Sequence, residues 1–143
     1  MSPLKSILAL SLILVTINGF SQQKTQEQKE REKNKVELYT PEEKDNLQNF
    51  YAEEVNKMKL SEEIKSEYYN ILLFYTHSMS RLDDKDKDYT QEEISGKFNI
   101  LHFKMNEKMK ALLTPEQYVI HLETFNKILY SVSRKTSLFN QKK

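Results

Sequence analysis

Four short segments set where this chain can start a helix. Thr40-Pro41-Glu42-Glu43, Ser61-Glu62-Glu63, Thr90-Gln91-Glu92-Glu93 and Thr114-Pro115-Glu116-Gln117 each place a hydroxyl residue before an acidic first turn. A Ser or Thr at the N-cap accepts hydrogen bonds from amides that have no partner inside the helix. Glu or Gln three residues on reaches back to the cap's own amide. Proline at the first helical position has no amide to satisfy, and its φ is already helical. Only two glycines and three prolines occur in 143 residues, too few turn residues for a sheet protein of this length. The expected fold class is therefore all-α, with about four amphipathic helices in an elongated antiparallel hairpin or bundle.

Apolar residues recur at intervals of three and four behind each cap, the spacing of a helix with one buried face. The first helix is expected from about Pro41 to Met58, with Leu47, Phe50, Tyr51, Val55 and Met58 inward. The second carries Ile64, Tyr68, Ile71, Tyr75, Met79 and Leu82. The third carries Ile94, Phe98, Leu101, Met105, Met109 and Leu112, and the fourth Tyr118, Leu122, Phe125, Leu129 and Val132. From Tyr68 to Tyr75 only Asn70 is polar, so the second helix is apolar around much of its circumference. Such a helix is buried on more than one side. Tyr69, Leu73, Phe74, Ile100 and Phe103 fall off the inward stripes and form the candidate face for a client or for a second copy of the chain.

The chain divides into four regions. Residues 1–21 combine Lys5, an apolar run from Ile7 to Ile17, and small residues at Gly19 and Ser21, the pattern of an export signal cleaved after Ser21. The run is shorter than the roughly 20 apolar residues that span a bilayer, so no stable membrane insertion is expected once the signal is removed. Residues 22–37 are expected as a disordered polar tail, because Gln22 to Lys35 contains no apolar residue. A helical domain follows over 38–135 and a C-terminal tail over 136–143. Taking 21 residues from 143 leaves 122, and Lys5 departs with the signal, so the net charge falls from +1 to zero. Nothing in that balance favours a nucleic acid or an anionic surface. The expected location is periplasmic or secreted.

Chemistry is largely excluded by composition. With no cysteine there is no disulfide, thiol nucleophile or Cys-ligated metal. No Gly-rich phosphate loop, nucleophile elbow or carboxylate pair in an apolar setting is present, and neither an enzyme nor a cofactor is expected. Asp84, Asp86 and Asp88 have the spacing that begins a calcium loop. Tyr89 and Ser95, however, stand where such a loop needs its turn glycine and closing glutamate, so this linker is expected to be a solvated turn. His77, His102 and His121 share no helix face. The metal candidates are His102 and His121, which the third and fourth helices are able to bring together, with Glu123 or Met105 nearby.

Leu113-Thr114-Pro115-Glu116-Gln117, followed by an amphipathic helix, resembles the LTxxQ motif of the periplasmic Spy/CpxP-like proteins. Leu113, Thr114 and Gln117 match that motif. The family carries it twice, and Leu60-Ser61-Glu62-Glu63-Ile64 is the corresponding earlier copy, with Ile64 in place of the glutamine. The resemblance implies a curved, all-helical antiparallel homodimer without cofactor. It also implies an ATP-independent chaperone, or a modulator of envelope stress, that binds unfolded or partly folded client proteins. Two alternatives stand beside that reading: a metal-responsive or signalling accessory protein of the envelope, and a structural helical protein that only self-associates.

Overall fold

The computed structural model describes residues 24–140, with side chains as far as Arg134. The export signal expected over residues 1–21 lies outside the described residues, as do 22–23 and 141–143. The described chain is all-helical and contains five helices: α1 (Gln26–Lys33), α2 (Pro41–Lys57), α3 (Glu62–Ser80), α4 (Gln91–Leu112) and α5 (Pro115–Asn140).

Every cap read from the sequence operates. The hydroxyls of Thr40 and Thr90 accept from the amides of Glu43 and Glu93, whose carboxylates take the cap amides in return. Ser61 Oγ accepts from the Ile64 amide at 3.3 Å, but Ile64 has no side-chain acceptor to return. Helices α3 and α4 pack on each other, α5 packs on both α2 and α4, and the four share one apolar core. Tyr51, Val55, Tyr68, Leu72, Met79, Ile94, Met105, Met109, Phe125 and Val132 are among its buried side chains. Burying each of the larger ones contributes roughly 1.5–3 kcal/mol.

The inward stripes hold for α2 and α4 but turn on α5. Ile128, His121 and Thr124 are buried there, while Leu122 is only half-buried. Buried threonine hydroxyls in the core are satisfied within their own helices. Thr76 Oγ1 donates to the Leu72 carbonyl, and Thr124 Oγ1 to the Ile120 carbonyl, each at 2.7 Å.

Three expectations about the polar segments need correction. The tail expected over 22–37 contains α1, although none of its residues is buried. Thr25 and Gln28 form a capping box, and Glu27 pairs with Arg31 one turn on. The helix end is then held from outside: Arg81 Nη2 donates to the Arg31 carbonyl and the Lys85 amide to the Asn34 carbonyl, both at 2.9 Å. Hydrogen bonding thus orders a segment that hydrophobic burial does not. The linker after α3 is likewise not wholly solvated. Asp84 is only 5% exposed and pairs with Arg81 at 2.6 Å. Burial pushes its carboxyl above the ordinary range, against the pull of Arg81. Finally, the tail expected over 136–143 is helical as far as Asn140.

The turn between α2 and α3 stores strain. Lys59 sits at φ 52°, in the left-handed region where a side chain costs ~1–2 kcal/mol. Glycine there removes that cost and gives back ~0.4–1 kcal/mol as extra freedom in the unfolded chain. Lys59→Gly should therefore stabilise the protein by about 0.5 kcal/mol. Urea unfolding is the measurement, and a loss of stability would show that Lys59 makes a compensating contact.

Candidate functional site

Two features stand out: a polar relay through the core, and an apolar face left open outside it. The relay begins on α2. Tyr51 and Tyr68 hydroxyls lie 2.8 Å apart, and Tyr68 Oη lies 2.8 Å from His121 Nδ1 on α5. His121 Nε2 is 3.0 Å from Asn106 Oδ1 on α4, and Asn106 Nδ2 is 3.2 Å from His102 Nε2. One group after another thus joins all four core helices.

The donors in this relay run in one direction. Asn106 Oδ1 is an acceptor, so His121 carries its single proton on Nε2 and leaves Nδ1 to accept from Tyr68. Tyr68, having given its hydrogen to His121, accepts from Tyr51. At the other end Asn106 donates to His102 Nε2. Rings pack the sides: Tyr118 and Phe125 stack near His121, and Phe125 also stacks on His102 with centroids 5.2 Å apart.

Burial governs how these groups titrate. His121 is fully buried, and desolvation, helped by repulsion from His102, pulls its pKa down to about 4. Desolvation also lowers His102. The hydroxyls of Tyr51 and Tyr68 are raised, chiefly by burial, and stay neutral. His77 stands apart on the exposed side of α3. Partial desolvation lowers it first, followed by the charges of Arg81, Lys35 and Arg31.

The structure brings the metal candidates His102 and His121 together, with Asn106 rather than Glu123 or Met105 joining them. Both ring nitrogens of His121 are engaged, so a metal has to displace Tyr68 or Asn106 to reach it. No group of three His, Cys, Asp or Glu side chains is placed to hold a metal ion among the described residues.

The motif residues work at the ends of helices. Leu113 is buried, and Leu60 packs partly buried against the same core. Thr114 Oγ1 accepts from the Gln117 amide at 3.3 Å, and the Thr114 amide donates to Gln117 Oε1 at 3.0 Å. The other end of that amide leaves the cap: Gln117 Nε2 donates to the Met58 carbonyl, 3.1 Å away at the C-terminus of α2. Gln117 therefore ties the α4–α5 turn to the α2–α3 turn. In the earlier copy Ile64 makes no such tie and packs instead against the core.

The candidate face divides. Phe74, Ile100 and Phe103 are 65%, 55% and 66% exposed. Tyr69 and Leu73 instead pack partly buried against the core, Tyr69 edge-on to Tyr68 at 5.7 Å, so neither belongs to the open face. Beside Phe74 lies a groove of about 420 Å³ lined by Glu67, Asn70, Ile71, Phe74, Tyr75 and Lys108. Val119 and Tyr130 add exposed apolar surface on α5 that was not foreseen. The missed relay residue is Asn106; its spacing of four from His102 was the available signal, since it places both on one helix face. Comparison with known protein families, with characterised proteins and with solved structures finds no match.

Two sets of substitutions separate these roles. Gln117→Glu keeps the acceptor for Thr114 but removes the donor to Met58. It should cost about 1 kcal/mol or more by setting a carboxylate against a carbonyl. A loss no larger than a few tenths, read by urea unfolding, would reduce Gln117 to a cap. Tyr68→Phe strands a buried acceptor on His121 and a buried donor on Tyr51, for about 2–4 kcal/mol. Tyr51→Phe removes only the first donor and should cost about 1 kcal/mol. Equal losses would contradict the one-way relay.

Proposed function

We propose that this chain is an exported, ATP-independent, chaperone-like binding protein of the cell envelope. In this reading the export pattern of residues 1–21 delivers it to the periplasm or the exterior. The observation that carries the proposal is the open apolar face on the paired helices α3 and α4, where Phe74, Ile100 and Phe103 stand exposed. Glu67 and Lys108 border the adjoining groove with opposite charges. Exposed apolar side chains with both charge signs close to one of them suit weak, reversible capture of a partly unfolded chain. Where no ATP is available, binding has to be weak enough to reverse unaided.

The resemblance of Leu113, Thr114 and Gln117 to the LTxxQ motif supports the same reading. It adds an elongated antiparallel homodimer as the working form. On that arrangement the apolar surface of two copies joins into one larger face, and light scattering should give twice the chain mass.

The test is aggregation of an unfolding client. The protein should suppress light scattering by the client at near-stoichiometric ratios. Replacing Phe74 and Phe103 together with Ser should weaken suppression several-fold while leaving the circular dichroism spectrum unchanged, because both side chains lie outside the core. No suppression by the wild-type protein at several-fold excess would sink the chaperone reading. A dimer without suppression would leave a helical protein that self-associates.

A further inference from the structure

The relay has one arrangement in which the Tyr51 hydroxyl hydrogen is also used, and that arrangement has no room for another proton. With both histidines neutral, four donors meet four acceptors: Tyr51 to Tyr68, Tyr68 to His121, His121 to Asn106, and Asn106 to His102. Suppose His121 takes a second proton, on Nδ1. Tyr68 can no longer donate to it and has to turn its hydrogen toward Tyr51. Tyr51 must then turn its own hydrogen away, into the core. Suppose instead that His102 takes a proton on Nε2. Asn106 has to flip its amide to accept from it, which sets Nδ2 against His121 Nε2. His121 then moves its proton to Nδ1, and the tyrosines reverse as before. Both routes end with the Tyr51 hydroxyl hydrogen turned away from Tyr68, and the first also sets a positive charge in the core.

Among the described residues no carboxylate is placed to compensate that charge. The titratable groups facing His121 are Tyr51 from α2, Tyr68 with Tyr69 beside it from α3, His102 from α4, and Tyr118 from its own helix. None of these is a carboxylate, and the one that takes on charge in acid, His102, repels it. Leaving a buried donor unmade costs about 1–3 kcal/mol, and an unpaired buried charge costs more.

We propose that this relay is an acid-sensitive latch: a proton added at His121 reverses its hydrogen bonds, loosens the junction of α2, α3, α4 and α5, and exposes the apolar core. The latch does not depend on the chaperone reading, although it would enlarge the apolar surface that such a protein offers in acid. Its working range follows from the direction of the shift. The unfolded chain binds a proton at His121 below the ordinary value of 6.5, whereas the folded chain resists until about 4. Stability is therefore kept above pH 6.5, falls as the pH drops from there, and loses no more to this group below about 4. Asp84 acts with the opposite sign, because its raised carboxyl binds protons more readily in the folded state.

The test compares the purified protein with His121→Gln, a neutral side chain able to accept from Tyr68 and donate to Asn106. The wild-type unfolding constant should rise about 20-fold between pH 7 and pH 5 beyond any change in the variant. Carboxylates titrate in both proteins and cancel. Binding of a dye that lights up on apolar surface should rise over the same interval in the wild type only. Equal pH dependence in the two proteins would overturn the latch. If the variant does not fold, a nuclear magnetic resonance titration of the wild-type imidazoles decides. Titration of His121 far below 6.5, with matching shifts at Tyr51 and Tyr68, is the expected result; titration near 6.5 with the tyrosines unmoved overturns the proposal.

Discussion

The packing of this protein turns on a polar chain inside an apolar core. Leucines and methionines tolerate small rotations of one helix against another, because dispersion contacts are many and individually weak. Hydrogen bonds at about 3 Å do not. Tyr51, Tyr68, His121, Asn106 and His102 come from four helices and satisfy one another only in sequence. That requirement sets the rotation of each helix about its own axis. It also explains α5, where His121, Thr124 and Ile128 face inward in preference to Leu122. A histidine kept neutral by four satisfied bonds is compatible with a core that would reject it charged.

The helix ends complete what the relay begins. Gln117 spans from its own cap to the end of α2, so two connections distant in the chain are held as one unit. Lys59 takes a left-handed conformation in the turn that receives this bond. At the other pole Arg81 links Asp84 to the last turn of α1, and Lys85 adds a backbone bond. The buried ion pair there is not a large source of stability, since desolvation offsets much of its attraction. Its role is placement: a wholly polar helix with no core of its own is docked by a guanidinium donating to the Arg31 carbonyl in its last turn.

The side chains of Phe74, Ile100 and Phe103 have no polar atom and stand exposed, although Phe74 meets the Tyr75 ring edge-on, and they lie on helices α3 and α4, which pack on each other. Tyr130 and Val119 extend apolar exposure to α5. Side chains of this size in water do not serve stability, and in the proposed reading they serve contact with a client polypeptide. The proposed acid latch would connect the two features, because opening the relay would add core surface to the apolar side chains already exposed.

Local chemistry alone determined much of this protein. The caps at Thr40, Ser61, Thr90 and Thr114 marked four helix starts, because an N-cap depends only on residues within one turn. The stripes of α2 and α4 were legible for the same reason, as was the outward position of Phe74, Ile100 and Phe103. Tertiary structure decided the rest. The capping box of Thr25 and Gln28 was present in the sequence, yet α1 is held by Arg81, a residue 50 positions away from the carbonyl it binds. Tyr69 and Leu73 sat off the stripe but turned inward, because α3 is packed around more of its circumference than a single stripe. Asn106 lies one turn from His102 on α4, and only the packing of α5 sets His121 against it. A hydrogen-bond partner on a different helix has no fixed spacing in the chain, and only the fold brings it within 3 Å.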